Sequence, residues 1–249
     1  MKKKLLVVSA HAADWCTRSG GTIYKYVKSG YEVVVIALTY GEHGESRSFW
    51  VNHPEGPESL CKEERNREAR NAAAVLGIER IEFCDYRDYP LEMGADRVQY
   101  LIDKVLEIRP ELVLTHWIED PFNVDHHVTA KTVVRAVSAA ARLGAHPNTP
   151  AHYFPDLFFF ESTLPHSEFN RFEIDTYVDI TDVFDKKMEA IRCFHSQPEL
   201  MELYTDCGAA RGKQANDWAR ERGCQVVQAE AFKRYIPYVG RMLPLSDMD

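Results

Sequence analysis

Residues 4–9 and 32–38 carry unbroken apolar runs (LLVV and VVVIAL) with no polar residue alternating between them. A strand with one wet face must alternate, so these strands are covered on both faces, as in a parallel sheet flanked by helices. Between them, residues 20–29 have helical periodicity and stop at Gly30, which completes a β-α-β unit. The pattern then repeats: a helix over 58–77 ended by Gly77, a short strand IEFCD at 81–85, a helix over 95–108, a strand over 111–116 and a helix over 127–142. This alternation predicts a Rossmann-like, doubly wound α/β fold with a mostly parallel sheet.

The Gly- and Pro-containing segment GAHPNTP (144–150) interrupts the pattern. Beyond it, 156–162 and 176–181 read as strands and 182–195 as a helix. The expectation is one α/β domain over 1–249, with a Rossmann-like core at 1–145 and an elaborated C-terminal third at 146–249 that completes the site. A content of 45% hydrophobic residues is enough for a core without staples, and the six cysteines are scattered with no close pair, as expected of reduced thiols in a cytoplasmic protein. The basic start MKKK leads into a run too short for a signal peptide, and no apolar stretch reaches the length of a membrane span. The net charge of −8, without a long basic run, argues against a nucleic-acid partner and for a small-molecule substrate; a homo-oligomer is compatible with the sequence.

In open parallel sheets, ligands bind outside the carboxyl ends of the strands where the strand order reverses. With the common order 3-2-1-4-5, the first and fourth strands flank that crevice. His11 and Asp14 follow the first strand, and HWIEDPFNVDHH (116–127) after the fourth brings Asp125, His126 and His127 opposite them. Two histidines and a carboxylate with positions left open are the donor set of a catalytic zinc site. The loop YGEHGES (40–46) offers Glu42 and Glu45, and ESTLPHSEF (161–169) offers His166, as groups able to move a proton. Arg47 and Arg18 have the chemistry to pair with substrate carboxylates, whereas His116 and His195 read as structural or as supports behind the ligands. Gly20-Gly21 lacks the surrounding Gly-x-Gly-x-x-Gly fingerprint, so nucleotide binding is disfavoured.

These segments resemble the PIG-L/LmbE-like zinc proteins, best known as N-acetylglucosaminide deacetylases. Their first motif, His-Pro-Asp-Asp-Glu, is matched by His11-Ala12-Ala13-Asp14-Trp15, and their later motif, His-Pro-Asp-His, by Asn123-Val124-Asp125-His126. Further likenesses are Arg67-Glu68 with AAAVLG (72–77), KKMEAIRCFHSQ (186–197) and AEAF (229–232), so the resemblance spans nearly the whole chain. It implies one zinc per chain held by His11, Asp14 and His126. Consecutive residues at a helix start point in different directions, so His127 is not expected to join them.

The departures are as informative as the matches. The family's general base is an Asp at the third position of the first motif, where this chain has Ala13; the family's oxyanion-assisting His is replaced by Asn123. The segments AHAAD (10–14), LTYGEHGES (38–46) and DPFNVDH (120–126) are similar to one branch, the 4-oxalomesaconate hydratases of gallate and protocatechuate catabolism. That resemblance implies a metal-dependent hydro-lyase that adds water to a small anionic oxo acid to give 4-carboxy-4-hydroxy-2-oxoadipate. Glu45, with His166 and Glu42, would then move the proton, and Arg47 and Asn123 would contact the substrate. The alternative is a zinc-dependent N-acyl deacetylase in which Glu42 or Glu45 replaces the missing base.

Overall fold

The computed structural model describes residues 2–146, 148–165, 168–219 and 223–242. In chain order the elements are β1 (Lys4–Ser9), α1 (Asp14–Lys28), β2 (Glu32–Ala37), α2 (Arg47–Asn52), α3 (Glu58–Val75), β3 (Arg80–Phe83), α4 (Ala95–Ile108), β4 (Leu112–His116), α5 (Val124–Ala140), β5 (Asp156–Phe160), β6 (Thr176–Asp179), α6 (Phe184–Ile191), α7 (Leu200–Ala219) and β7 (Ala229–Arg234). The seven strands form one sheet in the order β3-β2-β1-β4-β5-β7-β6. β1 pairs in parallel with β2 on one side and β4 on the other, with Val7 opposite both Val35 and Leu114. The order therefore reverses at β1, and the crevice between the carboxyl ends of β1 and β4 is the site the topology offers.

The apolar runs behave as their lack of alternation predicts. Leu5, Val7, Val33 and Val35 face a core layer shared with α1, α3, α6 and α7, while Leu6, Val8, Val34 and Ile36 face a second layer under α4 and α5. The doubly wound class holds. β7, however, runs antiparallel to both β5 and β6, so the far edge is mixed.

Several boundaries differ from expectation for local reasons. α1 begins at Asp14, because the His11-Ala12-Ala13 turn is closed by the His11 N–H donating to Asp14 Oδ2 at 2.9 Å. α5 begins at Val124, because the Asn123 side chain caps it by accepting from the Asp125 and His126 N–H groups. The helix expected over 182–195 contracts to α6, and α2, α7 and β7 have no counterpart in the sequence reading. The second glycine of the pair in α1 serves packing: a Cβ on Gly21 would lie 2.7 Å from Ile180 Cγ2, so only glycine admits that approach. All six cysteines are free thiols. No helix among the described residues is long and apolar enough to cross a membrane.

Candidate metal centre

The β1–α1 turn, the loop after β2 and the start of α5 bring His11, Asp14, Glu45 and His126 together, one ligand atom from each lying within 4.8 Å of all the others. His11 and His126 are fully buried, Asp14 is 3% exposed, and the Glu45 side chain is 14% exposed, making it the member that faces solvent. His11 Nδ1 lies 3.2 Å from both Asp14 Oδ2 and Glu45 Oε1. His126 Nε2 lies 3.4 Å from Asp14 Oδ1 and 3.7 Å from Glu45 Oε1.

The proton arrangement suits a cation. Asp120 Oδ2 accepts from His126 Nδ1 at 2.9 Å, and from the N–H and hydroxyl of Thr163 at 2.8 and 2.9 Å. With its hydrogen on Nδ1, His126 turns the lone pair of Nε2 toward two carboxylates, and Nε2 is buried without a hydrogen-bond partner. A lone pair facing anionic oxygens is repulsive unless a cation lies between them. On the other ring, Asp125 Oδ2 stands 3.3 Å from His11 Nε2 and fixes that nitrogen, leaving Nδ1 toward the cluster. Burial opposes a charge on His11, but Glu45, Asp125 and Asp14 together hold its ring well above the ordinary histidine range. Burial likewise opposes ionisation of Asp14, yet that carboxyl, set among the rings of His126, His116 and His11, is held well below its ordinary range. A pocket that stabilises a proton so strongly would stabilise a divalent cation for the same electrostatic reason.

His116 is excluded from the donor set by its own bonds. Its Nε2 accepts the Ala10 N–H at 2.9 Å, its ring stacks on His126 at 3.9 Å, and burial pushes it down to about 3. It is a neutral wall that fixes the His126 ring. Because Asp120 sets the tautomer of His126, Asp120→Asn is expected to weaken metal binding by ~10–100-fold, read by competition with a chromogenic chelator. Unchanged affinity would show that His126 needs no such partner.

The remaining residues singled out in the sequence are distributed as follows. His127 turns outward, 3.2 Å from Lys131 on the next turn of α5. Asn123, expected to touch substrate, is instead buried and committed: its Oδ1 caps α5 and its Nδ2 donates to Glu45 Oε1 at 3.2 Å, so it holds the carboxylate in place. Glu42 belongs to a separate group with His43 and Asp88, where burial raises its carboxyl and Lys62 Nζ stands 3.4 Å away. Arg47 is exposed at the start of α2, on a groove shared with Val51, Asn52 and Glu199. Arg18 spends Nη1 on the carbonyls of Glu161 and Ser162 at 2.9 and 2.8 Å and places Nε 3.5 Å from Asp14 Oδ1. His195 is exposed. His166 lies outside the described residues.

Sequence reasoning missed the supporting carboxylates. Asp120 had a signal in its place within the loop after β4, six residues before His126. Asp125 was read as a candidate ligand, yet its second task is to accept the N–H groups of Tyr89 and Leu91 at 2.9 and 2.8 Å. Asp88, fully buried, gathers the His43 N–H, the His43 ring and the Gly44 N–H, and so pins the loop that carries Glu45. Tyr89 stacks on His11 with centroids 6.0 Å apart, and burial, followed by the charge of Glu45, pushes its phenol up to about 12.

Comparison with known proteins gives a consistent picture. The PIG-L family (GlcNAc-PI de-N-acetylase) matches residues 6–137. A 4-oxalmesaconate hydratase of Pseudomonas putida is 37% identical over 242 residues, covering 96% of this chain and 91% of that protein. The crystal structure of GalB, the 4-carboxy-2-hydroxymuconate hydratase from Pseudomonas putida KT2440, superposes with a TM-score of 0.91 at 36% identity, over 97% of this chain and 100% of that one. A probable N-acetyl-alpha-D-glucosaminyl L-malate deacetylase 2 of Bacillus cereus is 27% identical over 207 residues, 81% of this chain and 86% of that protein.

Proposed function

The chain belongs to the PIG-L family, and from that premise we propose that it is a metal-dependent hydratase of 4-oxalomesaconate, giving 4-carboxy-4-hydroxy-2-oxoadipate. One observation carries the reading: the carboxylate that faces the donor cluster is Glu45, from the loop after β2, while position 13, where the deacetylases keep their base, is a buried alanine. The likeness of the whole chain to a 4-oxalmesaconate hydratase supports the same substrate class. The relatives with deacetylase names are more distant, at 27–28% identity for those covering about four fifths of this chain.

His11, Asp14 and His126 are the proposed metal ligands, and zinc is the proposed ion because a two-histidine, one-carboxylate set is its usual catalytic shell. A divalent ion bound there supplies Lewis acidity, polarising an oxygen of the reactants. The chain's own residues do the rest. Glu45, the carboxylate on the solvent side of the cluster, accepts a proton from the attacking water. The water oxygen bonds to one alkene carbon, and a proton is delivered to its neighbour, so one water is added across the double bond. His166, six residues beyond the end of β5 in the sequence, is the proposed second proton-transfer group. Asn123 keeps Glu45 aimed through the hydrogen bond from its Nδ2.

Hydration destroys a conjugated double bond. Metal-loaded protein added to 4-oxalomesaconate is therefore expected to bleach the ultraviolet absorbance of that conjugation, and a chelator is expected to stop it. Acetate release from an N-acetylglucosaminide without bleaching of the oxo acid would replace the hydratase reading with a deacetylase one.

A further inference from the structure

Tyr89 stands in the β3–α4 loop at the mouth of the donor cluster, in a conformation that the surrounding residues enforce. Its φ is +41°, in the left-handed region that side chains other than glycine avoid. Asp125 holds it there by accepting the N–H groups on both sides of the bend, Tyr89 at 2.9 Å and Leu91 at 2.8 Å. The ring lies within 17° of parallel to the His11 ring. Room for it exists because residue 44 is glycine: a Cβ there would fall 1.9 Å from Tyr89 Cε2. Asp125 thus fixes the backbone, and His11 and Gly44 the ring, yet the residue is 42% exposed, a large aromatic at the solvent edge of an otherwise buried cluster.

The phenol is also chemically unspent. Among the described residues its hydroxyl has no hydrogen-bond partner, and Glu45 is the charged group that acts on it most strongly. Of the two arginines read from the sequence as carboxylate partners, Arg18 is tied to main-chain carbonyls and Arg47 is exposed at the start of α2. A neutral hydroxyl is well suited to an anionic ligand beside Glu45, because it donates a hydrogen bond without an ion pair that Glu45 would compete for.

We propose that Tyr89 is a specificity-determining substrate contact, whose hydroxyl donates to a carboxylate of the unsaturated oxo acid while its ring walls the mouth over His11. The proposal rests on the hydratase reading for the identity of the acid, but not for the existence of a carboxylate subsite. Two measurements on metal-loaded protein separate the two. Tyr89→Phe is expected to raise KM for 4-oxalomesaconate about tenfold with kcat changed no more than about threefold, as for loss of one hydrogen bond to a charged group. In calorimetry the same variant is expected to bind tricarballylate, a saturated tricarboxylate that cannot react, about tenfold more weakly than the parent. Gly44→Ala, whose methyl would enter the Tyr89 ring, should weaken tricarballylate in the same direction. If the parent binds tricarballylate and Tyr89→Phe weakens it while the parent hydrates no oxo acid, the hydratase reading fails and the subsite stands. Equal tricarballylate affinity in parent and Tyr89→Phe overturns the proposal whatever the turnover, and so does failure of the parent to bind it.

Discussion

His126→Ala is expected to leave the protein with well under the roughly one divalent ion per chain that the parent should hold by elemental analysis, and His11→Ala is expected to do the same. His126 is the ligand whose removal should matter most, because its Nε2 is buried, unpartnered and aimed between Asp14 and Glu45, with Asp120 and the stacked His116 ring fixing it from behind. An alanine there deletes a donor that the neighbouring His127 is not placed to replace, since His127 faces Lys131. Turnover should fall on the order of 10³-fold or more, the equivalent of the several kcal/mol a Lewis acid supplies. His127→Ala, by contrast, should keep its metal. Full occupancy in both His11→Ala and His126→Ala would sink the site, and loss of metal in His127→Ala would mean that the neighbouring ring is the ligand.

Glu45→Gln is expected to cost ~10²-fold or more in kcat, the scale of a positioned acid or base. The substitution keeps the shape of the side chain and its reach toward Asn123 Nδ2, and removes the capacity to take a proton. Because His11, Asp14 and His126 remain, the metal content should stay near that of the parent. Those two readouts together separate a proton-transfer role from a ligand role: loss of metal in Glu45→Gln would make Glu45 a fourth ligand, and activity within a few-fold of the parent would deny it the proton. Glu42→Gln should leave kcat nearly unchanged, since Glu42 is grouped with His43 and Asp88 instead of the donor cluster. His166→Ala belongs in the same series, as the second proton-transfer group proposed from the sequence.

The first two thirds of the fold could be read from the sequence because β1, β2 and β4 are buried on both faces, and such strands announce themselves as unbroken apolar runs. In the C-terminal third β5, β6 and the α6 part of the helix expected over 182–195 could be read as well, whereas α7 and β7 could not. α7 buries Leu200, Tyr204, Cys207, Gly208, Arg211, Gly212, Ala215 and Ala219, a stripe at helical spacing whose members include two glycines and an arginine. Periodicity of hydrophobicity cannot show a stripe made of such residues. β7 was hidden for a related reason: Glu230, its second residue, is buried, paired with Lys187 at 2.8 Å. In the site, residues close in sequence were the legible ones. His11 and Asp14 share a turn, and Asp125 and His126 open one helix. The placement of Glu45 in the donor set depends on how the loop after β2 is pinned by Asp88, far along the chain, and spacing carries no record of that.

Glu230 Oε1 and Oε2 accept the N–H groups of Gly21 and Thr22 inside α1, at 2.9 and 2.7 Å. Residue 21 admits no side chain because Ile180 lies against it. Three positions more than two hundred residues apart at their extremes are thereby bound into one unit of inheritance: a lineage that enlarged residue 21 would have to shrink residue 180, and one that lost the carboxylate at 230 would strand both the α1 amides and the buried ammonium of Lys187. The C-terminal third is for that reason not an exchangeable appendage. A chimera that joined residues 1–145 of this chain to the tail of a distant relative should fold only if residues 180, 187 and 230 travelled with the helix they complete.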